Sequence, residues 1–213
     1  MIRRENSAVI CGIDEAGRGP LAGPVYAASV ILGDDFPLNL LNDSKKMSAS
    51  KRHEVRQIIM DKALYFGIAC ASHSEIDEIN ILQASLLAMK RSFEVMLEKL
   101  KPANNFFYNE LKVIADGNFA PDLSGICKTA GLEASGINTE VTAMVKADAK
   151  IAEVMTASIL AKTERDIYMD KMAELYPLYG YEKHKGYPTK AHRKAVLEHG
   201  PSPIQRMSFK VKL

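Results

Sequence analysis

The sequence predicts a mixed α/β fold with a five-stranded sheet flanked by helices, and three observations carry that prediction. Apolar runs of strand length recur at residues 8–13, 25–32, 65–71, 111–118 and 139–145. Longer stretches with helical spacing separate them. Three strands come early and two more are each followed by helix or loop, which is the pattern of a mixed sheet with helices packed on it.

Each element has its own reason. Residues 8–13 read Ala-Val-Ile-Cys-Gly-Ile, a buried strand, and residues 25–32 form a second. A Gly- and Pro-rich turn over 17–24 joins the two as an antiparallel hairpin with an elaborated loop. Ser48 follows a polar loop and suits the cap of a helix running through Met60. The third strand is 65–71. Helical periodicity returns over 76–100, with Ile79, Leu82, Leu86, Met89, Phe93 and Leu97 as a core-facing stripe. The fourth strand ends in Asp116-Gly117-Asn118. Residues 119–138 are rich in Gly, Ser and Pro and lack a period, so they read as a loop or insertion. The fifth strand is 139–145, a helix spans 148–175, and 176–189 is a loop crowded with aromatic and basic residues. A last helix near 189–199 precedes an irregular tail.

Length and composition bound the rest. The 213 residues are expected to form one domain, with about 166–213 as a C-terminal helix-and-loop segment. Hydrophobic residues make up 47% and charged residues 25%, ordinary for a globular chain. A net charge of +2, from 28 basic and 26 acidic residues, argues against charge-driven coating of nucleic acid, so local patches must carry any such contact. Cys11, Cys70 and Cys127 form no CxxC pair, which indicates neither a zinc site nor a disulfide framework. No apolar stretch approaches a membrane span, and no apolar run follows the two N-terminal arginines as a signal peptide requires. A cytoplasmic location without membrane association is therefore expected.

Chemistry concentrates at Asp14-Glu15-Ala16-Gly17-Arg18-Gly19, directly after the first strand. Carboxylates at a strand end suit divalent metals, whereas an arginine and bare backbone amides suit phosphate. An ordinary solvated turn has the same look, so the other acids matter. Asp116 ends its strand as Asp14 does; if those strands are parallel neighbours, both emerge at one sheet edge, where open α/β sheets place their ligands. Asp148 follows the fifth strand near a helix start, where the helix dipole favours an acid. Neighbours alternate across a regular strand, so Asp14 and Glu15 share one site only if the strand bends or ends there.

Residues 11–24 together closely resemble the N-terminal signature of the ribonuclease HII family. Its later elements follow in order: a strand ending in Asp116-Gly117-Asn118, an acid at Asp148, and a helix reading Thr156-Ala157-Ser158-Ile159-Leu160-Ala161-Lys162. Ala147 stands where the family usually has Gly, which matters only if that position needs a positive φ. Thr156 replaces a small apolar residue. The resemblance implies a ribonuclease H-like fold: three antiparallel strands with two more added parallel to the first. It also implies Asp14, Glu15, Asp116 and Asp148 as catalytic metal ligands. Oxygen donors suit Mg²⁺ or Mn²⁺, and two such ions would activate water and stabilise the leaving 3′ oxygen.

The same resemblance makes Gly17, Arg18 and Gly19 the turn that meets the ribonucleotide 2′-hydroxyl, the one group that separates RNA from DNA at a site. Tyr187, in Lys185-Gly186-Tyr187-Pro188, matches the family tyrosine that stacks on the neighbouring deoxyribose. Lys45 and Lys46 match a phosphate-contact segment, and His184, Lys185 and Lys190 are expected to add positive charge near Tyr187. Residues 207–209 match a tail that packs on the core. The implied partner is an RNA–DNA hybrid, or a DNA duplex containing ribonucleotides, cut 5′ to the ribonucleotide by a monomer acting in ribonucleotide excision repair. Two rivals stand beside this reading. Ribonuclease HIII shares the fold but carries a different glycine turn and a long N-terminal extension. A hybrid-binding module without catalysis is the rival from another class, and the presence of all four acids does not favour it.

Overall fold

The computed structural model describes residues 8–41, 47–100 and 108–210. Five strands, β1 (Ala8–Ala16), β2 (Val25–Ile31), β3 (Tyr65–Ala71), β4 (Glu110–Asp116) and β5 (Asn138–Met144), form one sheet in the order β3-β2-β1-β4-β5. The β1–β2 and β2–β3 pairings are antiparallel, and β4 and β5 add parallel to β1. Six helices accompany them: α1 (Ala49–Lys62), α2 (His73–Leu100), α3 (Ser124–Thr129), α4 (Ala152–Leu175), α5 (Tyr181–His184) and α6 (Lys190–His199). The expected mixed sheet and strand order are those found.

Strand alternation sorts the side chains into two cores. Val9, Cys11, Ile13, Leu111, Val113 and Ala115 pack with Phe93, Met96 and Leu97 of α2. On the other face, Ala28 and Val30 pack with Val55 and Ile59 of α1 and with Ala157, Leu160 and Ala161 of α4. Both faces of the central strands are thus buried, which is why β1 and β2 read as continuous apolar runs. The C-terminal segment adds a third, smaller cluster built on Ala22, Met169, Tyr179, Tyr181, Ala195 and Ile204. Among the described residues, no helix is long and apolar enough to cross a membrane.

Several expected boundaries move, each for a physical reason. The first strand runs on to Ala16 because β2 keeps pairing with it through Ala16↔Tyr26, after the β4 pairing has stopped at Ile13↔Ala115. Within 119–138, α3 forms where a loop was expected. It buries Cys127, and the Asp122 carboxylate accepts hydrogen bonds from the Ser124 amide and hydroxyl at its start. Asp148 lies in a 3₁₀ turn, Ala147–Ala149, and α4 begins only at Ala152. The 176–189 stretch contains a 3₁₀ turn and α5. Asn80 (φ 67°, ψ 165°) breaks α2 into two segments, and its Oδ1 accepts from the Leu82 and Gln83 amides at 3.0 and 3.2 Å to cap the second. That break leaves Ile79 exposed, although its spacing placed it in the core stripe. Ser48 caps α1 as read, and Thr189, at the expected start of the last helix, caps α6.

Two glycines set how closely helices approach the sheet. A β-carbon at Gly12 would lie 2.2 Å from the Glu153 carbonyl carbon and the Val154 nitrogen of α4; one at Gly67 would lie 2.1 Å from the Ser92 carbonyl oxygen of α2. Neither backbone can yield cheaply. Gly12→Ala or Gly67→Ala is therefore expected to destabilise the fold by at least about 2–3 kcal/mol. Gly125→Ala, in α3 with nothing near the added carbon, should gain up to about 1 kcal/mol. Urea denaturation of the three variants checks this, and a wild-type midpoint for Gly12→Ala would contradict the close approach of α4.

Candidate active site

Parallel pairing of β1 and β4 in the register Ile13↔Ala115 brings Asp14 and Asp116 to the same sheet edge. The 3₁₀ turn after β5 delivers Asp148 beside them, and one ligand oxygen from each of the three lies within 4.8 Å of the others. Backbone amides fix the group. Asp116 Oδ1 accepts from the amides of Ala147 at 2.7 Å and Asp148 at 3.4 Å, so one carboxylate shapes the turn that carries another. Asp14 Oδ1 accepts from the Glu15 amide at 2.7 Å. The left-handed residue of the turn is Lys146 (φ 59°), not Ala147, so alanine in place of the usual glycine introduces no strain there. Thr156 is also accommodated, since its hydroxyl donates to the Ala152 carbonyl within α4 at 2.7 Å.

Glu15 stands apart from the three aspartates because β1 stays regular through it. Asp14 turns toward α4, where Ser158 hydrogen-bonds it, and Glu15 turns toward α2. There it lines a cleft with Arg18, Asp116, Gly117, Asn118 and Phe119 against Leu82, Ser85, Leu86 and Met89. It ion-pairs with Arg18 at 3.4 Å, while its charge acts on Asp14 and it in turn feels the charge of Asp116. Burial first, and the Glu15 charge second, push the Asp14 carboxyl well above the usual range. Burial likewise raises Glu15, against the pull of Arg18. An acid cluster held this way favours either a proton or a cation.

The Gly17–Gly19 turn is held by two buried arginines that sequence reading missed. Arg206 donates to the carbonyls of Gly17 (2.6 Å), Arg18 (3.1 Å), Pro20 (2.8 Å), Gly23 (2.8 Å) and Pro24 (3.2 Å). Arg165 donates to Pro24 (3.1 Å), Ala22 (3.1 Å) and, across to the other loop, Lys185 (3.0 Å). Burial, with Arg165 nearby, pushes Arg206 down to about 9. Gly17 has φ +105°, and a β-carbon there would strike Arg165 Nε at 2.2 Å, so only glycine fits.

Tyr187 meets this turn from the C-terminal segment. Its ring is 40% exposed and lies 3.8 Å from where a Gly19 β-carbon would be. Lys162 Nζ and Arg165 Cζ are each 5.8 Å from the ring centroid. His184 does not supply the positive charge expected of it: it is buried, and burial pushes its pKa down, favouring the neutral ring. Lys185 is ion-paired with Asp170. Lys45 and Lys46 lie outside the described residues. The tail packs as expected, with Phe209 against the main core and the Met207 and Ser208 amides bonded to Asp77.

Comparison with known proteins agrees with this geometry. The family model described as Ribonuclease HII matches residues 11–212. A curated Ribonuclease HII from Treponema denticola is 50% identical over 208 residues, covering 96% of this chain and 99% of the relative. One from Nitrosomonas europaea is 46% identical, covering 96% and 84%. Among solved structures, the PCNA:RNase HII complex from Archaeoglobus fulgidus aligns with TM-score 0.66 at 25% identity over 96% of each chain. Bst-RNase HIII in complex with Mn²⁺ aligns with TM-score 0.70 at 15% identity, covering 98% of this chain and 69% of the other, a likeness of fold.

The raised Asp14 carboxyl has a measurable consequence for the metal-free protein. Its folded-state pKa exceeds the unfolded value, so its contribution to stability is present below the unfolded pKa and lost as pH rises through the folded one. Asp14→Asn removes that loss. In chelator, the variant should melt above wild type at pH 8, with the gain shrinking toward pH 4. Melting curves across that range check it; a variant no more stable than wild type at pH 8 would contradict the electrostatic reading.

Proposed function

The chain belongs to the ribonuclease HII family, and from that premise we propose that it is a metal-dependent endonuclease acting on ribonucleotides in duplex nucleic acid. It would cut the RNA strand of RNA–DNA hybrids and single ribonucleotides within DNA, on the 5′ side, leaving 3′-hydroxyl and 5′-phosphate ends. One observation carries the reading: the three-aspartate cluster shares a sheet edge with a glycine turn whose far side meets Tyr187.

The residues present suit hard divalent ions. The donors are carboxylate oxygens, they converge within 4.8 Å, and a cation would offset the burial and repulsion that disfavour the Asp14 charge. Asp14 and Asp116 would be the central ligands and Asp148 a third, while Glu15, turned to the other face of β1 but electrostatically coupled to Asp14 and Asp116, would complete the second position from the α2 side. Two ions, Mg²⁺ or Mn²⁺, would when bound activate water and stabilise the leaving 3′ oxygen. The chain's own residues supply the rest. Glu15, on the α2 side, extends the acid set along the strand being cut. Gly17 and Gly19 let backbone approach the 2′-hydroxyl, and Arg18 offers a cation to the adjacent phosphate. Tyr187 stacks on the neighbouring sugar. The chain would work as one domain, with residues 166–213 contributing to substrate binding.

Cleavage of a duplex carrying one ribonucleotide should require Mg²⁺ or Mn²⁺, stop in excess chelator, and spare an all-DNA control. Asp14→Asn and Asp116→Asn should each lower turnover roughly 10³-fold or more while leaving the fold and substrate binding largely intact. Equal cutting of both duplexes, or retained turnover in either variant, would sink the assignment.

Tyr187→Ala should lower kcat/KM on the single-ribonucleotide duplex roughly five- to thirtyfold, the low end of base–aromatic stacking at about 1–2 kcal/mol. Tyr187→Phe should be milder, because the stacking face survives. Steady-state kinetics of the two variants on that substrate decide it, and wild-type rates for Tyr187→Ala would return the ring to a surface role.

A further inference from the structure

Beneath Tyr187 lies a pair of buried histidines that neither the metal chemistry nor the glycine turn accounts for. His184 and His192 stack with ring centroids 4.6 Å apart and planes 16° from parallel, and the Tyr181 ring meets both edge-on. His192 has no exposed surface and His184 is 8% exposed. Each ring holds one end of the same dipeptide. The Gly186 amide donates to His184 Nδ1 at 3.2 Å, and His192 Nδ1 lies 3.1 Å from the Tyr187 carbonyl oxygen.

These contacts dictate tautomers. His184 accepts at Nδ1, so its proton sits on Nε2 and is donated to the Tyr179 carbonyl at 2.9 Å. His192 must donate from Nδ1 to reach a carbonyl, which leaves Nε2 bare, and that atom is buried without a hydrogen-bond partner. A core histidine kept only for packing would be well replaced by an apolar ring. Here a buried nitrogen is left unsatisfied so that its ring-mate can grip the Tyr187 backbone.

We propose that His184 and His192 are positioning residues for the ribonucleotide-reading loop: their stacked neutral rings hold the Gly186–Tyr187 backbone so that the tyrosine ring stands over the Gly19 turn. The inference rests on Tyr187 contacting substrate. Gly186 leaves little room for any other arrangement, since a β-carbon there would lie 2.8 Å from the Ala22 carbonyl oxygen. The hydroxyl of Tyr181 bonds Ser202 at 2.6 Å, which fixes the ring against which both imidazoles rest.

The test compares His192→Phe, which keeps an aromatic ring in the stack and loses the donor, with His192→Asn, which restores a donor. kcat and KM are measured on the single-ribonucleotide duplex, alone and combined with Tyr187→Ala. His192→Phe should lower kcat/KM about three- to tenfold, the scale of one lost hydrogen bond, mainly through KM. His192→Asn should recover part of that loss. Once Tyr187 is alanine, His192→Phe should add little, because the residue it positions is gone. Mn²⁺ should raise the melting temperature of every variant as it does wild type, since the acid cluster is untouched.

Wild-type kinetics in His192→Phe, or losses that multiply in the double variant, would overturn the positioning role while an impaired Tyr187→Ala leaves the functional reading intact. Failure of both His192 variants to fold would assign the residue to the fold and overturn it too. A wild-type protein that does not cut the duplex would overturn the functional reading and this inference together.

Discussion

Three carboxylates with ligand oxygens within 4.8 Å of one another repel, and the fold must hold them there before any counter-charge arrives. Local structure cannot do this, because the three lie far apart along the chain. The parallel β1–β4 pairing supplies the first constraint: once Ile13 and Ala115 are in register, the next residue on each strand is an aspartate at the same edge. Sliding β4 by one residue would turn Asp116 to the opposite face and dissolve the pair. The second constraint is the backbone amides of Ala147 and Asp148 on Asp116, which bind the turn carrying Asp148 to the carboxylate it must accompany. Charge-assisted bonds of this kind are worth about 1.5–3 kcal/mol each. They offset part of the repulsion among the carboxylates, which adds to the burial that keeps Asp14 readily protonated.

The Gly17–Gly19 turn is built on a different principle. Arg165 and Arg206 are fully buried, and the hydrogen bonds that define them go to backbone carbonyls on both sides of the turn. Burying a guanidinium costs several kcal/mol, which hydrogen bonds to charged donors largely offset. Net stability is therefore a weak reason for this arrangement. Its effect is geometric: a planar fork fixes several carbonyls at once, whereas lysine would fix them less rigidly. Because Arg165 reaches both Ala22 and Lys185, movement of the glycine turn and movement of the tyrosine loop are tied together.

Much of this was legible in the sequence, and the exceptions share a cause. Strand positions followed from apolar runs, and the α1 cap from Ser48, because each is a property of neighbouring residues. Asp14, Asp116 and Asp148 stood out as acids at or just after strand ends, but it was the resemblance to the ribonuclease HII family that set them above ordinary turn and cap readings. What escaped depends on long-range contact. Arg165 lies in the stretch read as a helix and Arg206 in the irregular tail, and nothing local marks an arginine most of whose partners are carbonyls more than a hundred residues away. His184 was misread for the same reason, since its burial comes from packing against His192 and Tyr181. Ile79 failed differently: Asn80 reset the helical phase, a break that a periodicity window averages away.

The division of labour within the chain has a physical logic. The acid cluster sits at the end of the central strands, where both faces are packed and displacement is most strongly opposed. The tyrosine loop belongs to the C-terminal segment, whose small cluster meets the sheet mainly through α4 and the Ala22 turn. The acid cluster can thus stay fixed while the surface around Tyr187 is altered by replacements in a separate layer. The two are joined around the Ala22 turn by Arg165 and Arg206, by backbone hydrogen bonds from Leu21 to Gly186, Gly23 to Ile204 and Arg206 to Leu21, and by the close approach of Gly186 to Ala22. A replacement at one of those joints would be felt at Tyr187 before it is felt in the acid cluster, because the strands that carry Asp14 and Asp116 have their own packing on both faces.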